Sequence, residues 1–323
     1  MALDVTVKID LVKPAGRLDF GYPLILSVGE AKSYAECKNL EEVVTSGFAS
    51  GTETYQAAAL MFAQNNPPEK IGVCGVAATT DLSAIKEQPW RQLVTVGTLE
   101  DTDVTAIVTY IAATEDKMYF ATVAEAADLA DLGDSERVIG FVHSNPLAVA
   151  ALAGEAAGRE VGSFTYKNLI LNNIEPMALA DTQIDAIHEA GGITFVTKAG
   201  DNVTSEGIVM SGEYADIIDC KDYVLQQLEY RTQRLLNTAA KVPYDNNGIA
   251  MLEAVCVDVM NDAYNKGIIA TGEDGKAAYT VAYDLLEQVD ETDKAARKYV
   301  GGKFRFTLAG AVHEVEINGE IMI

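Results

Sequence analysis

The sequence predicts an N-terminal α/β domain with a mixed, mostly parallel sheet, then a C-terminal α+β domain, with extended β-strand arms at both termini. Short apolar segments alternate with helical segments in the first part, two long amphipathic helices follow, and strand patterns lie at both ends. The predicted boundaries are residues 1–20 for the first arm, 21–215 for the α/β domain, 216–302 for the α+β domain and 303–323 for the second arm.

The amino-terminal arm is predicted from a strict alternation of polarity. In "LDVTVKI", residues 3–9, the apolar side chains share one face and the polar side chains share the other. This pattern is typical of a half-buried strand. The apolar face consists of Leu3, Val5, Val7 and Ile9.

The α/β domain is predicted from continuous apolar strands separated by helices. The strand segments are "PLILSVG", "KIGVCGV", "RQLVTVG", "KMYFATV", "RVIGFVH" and "ITFVTKAG". Strands that are apolar on both faces indicate a parallel sheet covered by helices on both sides. The helical segments include "TETYQAAALMFAQNN", "EDTDVTAIVTYIAAT" and "DTQIDAIHEAGG".

The second domain is predicted from a change of pattern near residue 216. "CKDYVLQQLEYRTQRLLNTAAK" and "IAMLEAVCVDVMNDAYNKG" are long amphipathic helices, joined by a turn that contains Pro243. "AAYTVAY" is a strand, "DLLEQVDETDKAARKYVGG" is predicted as a third helix, and closing strands follow.

Composition excludes some classes of function. Of the 323 residues, 48 are acidic and 24 basic, and the resulting net charge of −24 opposes binding to nucleic acids or anionic membranes. No segment has the roughly 18 apolar residues that a membrane span needs, and charged residues interrupt the amino terminus, so neither membrane insertion nor a signal peptide is expected.

Motifs for catalysis or for a cofactor are not found in the sequence. The four cysteines, Cys37, Cys74, Cys220 and Cys256, lack C-x-x-C spacing and are expected to be reduced, buried thiols rather than zinc ligands. The three histidines lie in no nucleophile or metal motif, and neither G-x-S-x-G nor a Walker A pattern occurs. We therefore predict no catalytic, metal or cofactor site.

Two weaker candidates have structural interpretations. In "VHSNP", at a strand end, His143 and Ser144 are candidates for a ligand site, but we prefer the interpretation that Ser144 or Asn145 caps the next helix and that His143 is a polar strand-end residue. Asp216 and Asp219 form a carboxylate pair without a partner motif, and we interpret them as part of a solvated acidic surface.

Basic residues cluster between residues 294 and 305, where no acidic residue occurs. Lys294, Arg297 and Lys298 have the spacing of one helix face, and Lys303 and Arg305 extend the cluster beyond the predicted helix. Two interpretations remain open: basic residues that complement a helix dipole, or a docking surface for an acidic partner. A second basic stripe, interpreted as a solvated face, consists of Gln227, Arg231, Arg234 and Lys241.

The strand patterns at the two ends raise a question about their partners. An uncovered edge strand is an aggregation liability unless something pairs with it. Either the two ends pair within one chain, or each adds to the sheet of a neighbouring copy, and such head-to-tail contacts generate rings or helical filaments. The candidates for inter-subunit strand exchange are Leu3, Val5, Val7, Ile9, Val312, Val315, Ile317 and Ile321.

The carboxyl-terminal sequence resembles a known family. "LAGAVHEVEINGEI", residues 308–321, with the preceding "DKAARKYVGGKFRF", is similar to the carboxyl end of contractile phage tail sheath proteins. Residues 192–269 resemble the strand, long helix, Lys-Val-Pro-Tyr turn and second helix of that family. The resemblance extends over roughly residues 137–323.

This resemblance implies a structural protein rather than an enzyme, without cofactors. The family implies a homo-oligomer, a helical stack of hexameric rings around an inner tail tube, with baseplate and tail terminator proteins as further partners. It implies assembly in the bacterial host cytoplasm, location in the virion tail, and contraction that drives the tube through the host envelope. Alternatives are the sheath of a tailocin or contractile injection system, and an α/β ligand-binding protein or enzyme. The tube-contact candidates are Lys294, Arg297, Lys298 and Lys303.

Overall fold

A computed structural model describes residues 20–114 and 116–313. Its larger sheet has eight strands in the order β2-β3-β1-β4-β5-β6-β7-β8. The strands are β1 Tyr22–Val28, β2 Lys32–Cys37, β3 Ile71–Val76, β4 Trp90–Val96, β5 Met118–Val123, β6 Val138–Val142, β7 Gly192–Lys198 and β8 Asp201–Thr204.

The predicted mixed, mostly parallel sheet is confirmed. Strands β3, β1, β4, β5, β6 and β7 pair in parallel, whereas the edge strands β2 and β8 pair antiparallel to their neighbours. The central strands are buried on both faces, as their continuous apolar sequences predict.

Helices cover both faces of this sheet. The first-domain helices are α1 Leu40–Thr45, α2 Glu53–Phe62, α3 Ser83–Lys86, α4 Asp101–Ala112, α5 Ala148–Ala157 and α6 Asp181–Glu189. Side chains alternate between two cores, so that Ile25 of β1 packs on the α2–α5 side and Leu24 packs on the α3–α4 side.

Helices α2 and α5 approach each other closely because small residues line α5. A Cβ atom added to Gly154 of α5 would lie 2.5 Å from the Cα of Met61 in α2. Such a distance is a steric clash, so this position requires glycine. Nearly every residue of α5 is buried, which makes it the central helix of its layer.

The second domain consists of two long helices and a small sheet. Helix α7 spans Ala215–Thr238 and α8 spans Asn246–Asn265, which confirms both predicted helices. Their apolar faces form a third core with the hairpin-like pair β9 Tyr279–Tyr283 and β10 Gly302–Phe306. Helix α7 belongs to both domains, since Ile218 packs in a first-domain core and Val224 packs in the third core.

The predicted third helix is much shorter than expected. Only α9, Glu291–Ala295, is α-helical in this segment, and Leu286–Gln288 form a 3₁₀ turn. The side chain of Asp290 caps the start of α9, and Arg297 has a left-handed φ of 54°, which is incompatible with helix continuation. Lys294, Arg297 and Lys298 therefore do not share one helix face, and that prediction is wrong.

Strand β10 lies at the start of the predicted second arm but pairs antiparallel with β9 of the same chain, with Phe304 opposite Val281. The chain then runs beside the end of α8, where Leu308 forms a bridge with Ile269. The predicted amino-terminal strand lies outside the described residues, and so do Val315, Ile317 and Ile321.

Over the described residues, no helix combines the length and apolar character that crossing a membrane requires. The four cysteines are unpaired and buried, as predicted. In the same part of the chain, no group of three or more histidine, cysteine or carboxylate side chains is arranged to hold a metal ion.

Candidate functional site

A buried ionic cluster joins the first domain to α7. Arg91, in β4, lies between two carboxylates of α7: its Nη2 is 2.6 Å from Asp219 Oδ1 and its Nη1 is 2.6 Å from Asp222 Oδ2. Arg137, just before β6, makes two further bonds to Asp222, of 2.6 and 2.9 Å. Tyr166 donates its hydroxyl hydrogen to Asp219 Oδ2 at 2.7 Å. We call these five residues the interdomain lock.

The interdomain lock excludes water almost completely. The Arg91 side chain is only 2% exposed, and the two aspartate side chains are 6% and 5% exposed. Burial alone would raise the pKa of Asp222, but the guanidinium groups of Arg91 and Arg137 hold this pKa below its ordinary value. Burial, reinforced by the charge of Asp219, raises the pKa of Tyr166 well above its ordinary value. Asp222 is therefore held in its ionised form, and the hydrogen bonds of the lock fix its side chains relative to one another.

The interpretation of Asp219 as part of a solvated surface is wrong. Asp219 is only 4% exposed. Asp216, one turn earlier in α7, has a buried Oδ1 atom without a hydrogen-bond partner among the described residues. Burial raises the pKa of Asp216. The spacing of Asp219 and Asp222 on the apolar face of an amphipathic helix, beside Ile218, was the signal that the sequence offered.

The second basic stripe is also only partly solvated. Gln227 is buried at 5% exposure, and Arg231 forms an ion pair with Asp262 of α8. Arg234 and Lys241 are exposed, as expected. The stripe thus begins as a contact between the two long helices and reaches solvent only toward the end of α7.

The small sheet presents two different faces. Phe306, Tyr279 and Val281 point toward the third core and are half-buried. Lys303 and Arg305 lie on the opposite, exposed face of β10. Within the described part of the chain, β9 and β10 pair only with each other. Each strand therefore has one edge on which no further strand is paired.

The basic cluster divides into internally paired and free side chains. Lys294 Nζ lies 2.7 Å from Glu291 Oε1, and Lys303 Nζ lies 3.2 Å from Asp284 Oδ2. The side chains of Arg297 and Lys298 are exposed and have no hydrogen-bonding or ion-pairing partner among the described residues. The positive charge available to a partner is thus concentrated at Arg297 and Lys298, and at Arg305 on β10.

The strand end at His143 has a structural arrangement. The His143 ring stacks on Phe141, its Nε2 is 2.9 Å from the carbonyl oxygen of Glu175, and its Nδ1 accepts the amide hydrogen of Asn145. Asn145 Oδ1 accepts the amide hydrogen of Leu147, which directly precedes α5. Asn145 therefore closes the turn that leads into α5, whereas the N-cap position itself is Leu147, which has no side-chain cap, so neither Ser144 nor Asn145 is the predicted helix cap.

A crevice lies at the carboxyl ends of β4 and β5, next to the point between β1 and β4 where the strand order reverses and where ligands usually bind in a parallel α/β sheet. In this protein the lining of the crevice includes four carboxylates. The hydroxyl groups of Thr95 and Tyr119, which also line it, form a hydrogen bond of 2.9 Å with each other. The described lining contains no serine or cysteine beside a histidine. The carboxylates are Glu53, Asp101, Asp128 and Asp131.

Comparison with known proteins supports the family resemblance. Residues 213–321 match the family model described as E217 tail sheath protein gp31-like, C-terminal domain. This segment contains α7, α8, the small sheet and the basic cluster. No curated protein sequence matches the chain significantly.

Solved structures with the same fold are contractile-system proteins. A chain from the baseplate of the anti-feeding prophage superposes with a TM-score of 0.75 at 12% identity, and covers 100% of both chains. The helical sheath of the same system in its contracted state gives 0.74 at 11% identity, over 98% of both chains. The sheath tail protein Lin1278 from Listeria innocua gives 0.60 at 10% identity, over 83% of this chain and 90% of its own.

At these identities, the likeness of the structures establishes the fold, and the match over residues 213–321 adds the evidence from sequence. The resemblance to contractile tail sheath proteins is therefore confirmed: residues 213–321 are similar to the tail sheath C-terminal domain family, and the chain has the fold of solved sheath subunits.

Proposed function

We propose that this protein is the structural subunit of a contractile tail sheath, in a phage tail or a contractile injection system. Copies of the chain assemble as stacked hexameric rings around an inner tail tube and contract to drive that tube through a cell envelope. The subunit performs no catalysis and needs no cofactor. Its partners are other copies of itself, the inner tube protein, and the baseplate and terminator proteins at the ends of the sheath.

The observation that carries this proposal is the incomplete second sheet. A two-stranded sheet alone is marginally stable in water, and edges with unpaired backbone groups invite a further strand. In this chain β9 and β10 form such a sheet, and the predicted strand residues of the carboxyl-terminal arm follow directly after it. Strand addition from a neighbouring copy would supply the missing backbone hydrogen bonds.

The arms are the proposed donors of these strands. Val312, a predicted exchange residue, is 80% exposed in the single chain and is therefore available to a partner. The other exchange candidates, from Leu3 to Ile9 and from Val315 to Ile321, lie outside the described residues. An exchange contact in which each copy donates to the next is heterologous, which generates rings and helical stacks without a symmetric dimer.

The basic cluster is the proposed contact with the inner tube. Arg297 and Lys298 are exposed and unpaired within the described residues, so they contribute more than Lys294 and Lys303, whose charges are already paired. Each exposed ion pair contributes only about 0.2–1 kcal/mol, but rings of subunits repeat the contact many times. Contacts of this kind hold a tube in register and still release it during contraction.

The class of contractile device has two candidates. A phage tail and an injection system use the same type of subunit, and the names of the similar structures include both an anti-feeding prophage and a sheath tail protein. A capsid gene beside the gene for this chain would identify a phage. A contractile gene cluster without a capsid gene would identify a tailocin or an injection system.

Electron microscopy of the purified chain tests the proposal, with two truncated variants for comparison. The full chain is expected to form tubes or striated sheaths. Deletion of residues 1–16 or 311–323 is expected to abolish them while the subunit stays folded, because the first-domain cores lie outside both deleted segments. Normal, stable sheaths from either truncated chain would contradict strand exchange, and a full chain that never polymerises would contradict the sheath function.

A further inference from the structure

The carboxyl-terminal arm returns to the first domain before it leaves the described part of the chain. Residues 307–309 are held by the second domain, where the Thr307 amide donates to the Ala278 carbonyl and the Ala309 amide donates to the Ile268 carbonyl, each at 2.9 Å. Four residues later, His313 lies against the first domain with its side chain only 10% exposed. Its neighbour Val312 is 80% exposed, so burial here is specific to the histidine.

His313 occupies a pocket with three different contacts. Its Nδ1 lies 3.0 Å from Glu206 Oε1, and its Nε2 lies 3.0 Å from Thr165 Oγ1. The ring of Tyr214 meets the imidazole edge to face, with a centroid distance of 4.6 Å and an angle of 78°. We call Thr165, Glu206 and Tyr214 the arm-root pocket.

The chemistry of the pocket determines where the imidazole proton lies. Burial by itself raises the pKa of Glu206, but hydrogen bonds from Lys167, Gly207 and His313 hold this pKa below its ordinary value. The carboxylate is therefore ionised and can only accept a hydrogen bond. Consequently Nδ1 of His313 carries a hydrogen, which it donates to Glu206, and Nε2 forms a hydrogen bond with the Thr165 hydroxyl.

The arm-root pocket is built from well-supported residues. Lys167 Nζ lies 2.5 Å from the other oxygen of Glu206, which fixes the carboxylate in place. Thr165 directly precedes Tyr166, whose hydroxyl belongs to the interdomain lock. Tyr214 immediately precedes α7. The pocket thus lies directly beside the interdomain lock and the start of α7.

We propose that His313 is a positioning residue that anchors the root of the carboxyl-terminal arm in the arm-root pocket and so sets the direction in which the arm leaves the subunit. A fixed exit direction lowers the ordering cost when the arm joins the sheet of another copy. This inference rests on the proposed function for its role in assembly, whereas the anchor itself is a property of a single chain and is tested on unassembled protein.

The tautomer of His313 is the first test. The chain has three histidines, so a long-range ¹H–¹⁵N spectrum of the full-length protein contains three imidazole patterns, assigned by single substitutions. His313 is expected to carry a hydrogen on Nδ1, because Nδ1 faces the Glu206 carboxylate. His143 is the internal control with the opposite form, because its Nδ1 accepts from the Asn145 amide and its Nε2 donates to the Glu175 carbonyl. An Nε2–H or freely averaging His313 would overturn the anchor.

Hydrogen exchange of the peptide covering residues 307–313 is the second test. His313→Ala and, more conservatively, Thr165→Val are expected to speed exchange in this peptide about 5- to 30-fold, the effect of losing one or two hydrogen bonds. Thr197→Val is the matched control, since that hydroxyl bonds the side chain of Asn202 far from the arm along the chain. Unchanged exchange in both variants, or equal acceleration throughout the β1–β6 strands, would contradict local anchoring.

The third test asks whether the anchor affects assembly, and it measures by electron microscopy how fast each variant forms sheaths. Thr165→Val, which leaves the arm sequence intact, is expected to assemble more slowly than Thr197→Val. If the wild-type chain forms no sheath, the proposed function fails, while the spectrum and the exchange data still decide the anchor. If Thr165→Val speeds exchange but assembles at the wild-type rate, the anchor exists without the proposed role in assembly.

Discussion

The two sheets of this protein are completed in opposite ways. The eight-stranded sheet is covered by helices on both faces and ends in antiparallel edge strands, β2 and β8. The two-stranded sheet rests on α7 and α8 by one face, exposes the other, and has no further strand paired to either edge within the described residues. The first sheet thus has both faces buried, whereas the second has edges whose backbone groups pair with no further strand among the described residues.

Helix α7 connects the two regions, and its first half is fixed by the interdomain lock at Asp219 and Asp222. If the proposed sheath function is right, we expect the first domain to move as one body, because the lock ties α7 to the large sheet. Only the strands of the small sheet and the arms would then need to join other copies.

The largest expected effect comes from breaking the lock in the rigid region. Arg91→Met leaves Asp219 and Asp222 buried with fewer partners, and removing one side of a buried ion pair costs about 3–5 kcal/mol in the free energy of unfolding. Denaturant unfolding of the unassembled subunit measures this loss. The control is Lys221→Met, whose pair with Glu136 is largely exposed and should change stability by less than about 0.5 kcal/mol. Equal effects of the two substitutions would show that the lock contributes little.

A matched pair of phenylalanines compares the two sheets directly. Phe120→Ala, at a fully buried position of strand β5, should cost about 3–5 kcal/mol of unfolding free energy. Phe304→Ala, in β10, removes a side chain that is 36% exposed and should cost at most about 1 kcal/mol in the unassembled subunit. Chemical denaturation of both variants provides the measurement. A larger loss at Phe304 than at Phe120 would mean that the small sheet, not the large one, stabilises the single chain.

The smallest expected effect per subunit concerns the basic cluster beside the open sheet. Replacing Arg297 and Lys298 by Glu should weaken assembly on inner tubes, by about 0.2–1 kcal/mol for each lost ion pair, and raised salt should reproduce part of this loss. Co-sedimentation of the subunit with purified tubes measures it. Reversal of Lys294 and Lys303 should have less effect, because Glu291 and Asp284 already neutralise them. The contact is wrong if the double reversal leaves tube binding and its salt dependence unchanged.

The sequence by itself determined the elements whose signals are local. Continuous apolar strands such as Ile71–Val76 identify a parallel sheet, and the apolar stripes of α7 and α8 identify two long helices, because burial on a strand or helix face follows the period of that element. The carboxyl-terminal resemblance likewise depends only on the order of residues, and it is confirmed over residues 213–321.

The tertiary structure alone decided the pairings between distant residues. Arg91 meets Asp219 across 128 positions of sequence, and His313 meets Thr165 across 148. Local periodicity does not encode which faces meet, so the sequence pattern alone assigns Asp219 to the surface, whereas the structure buries it against Arg91. The length of α9 also depends on tertiary structure, because helix propensity is only a weak local preference. The chain leaves the helix at Arg297, which has a left-handed backbone conformation, and turns back into β10 to pair with β9.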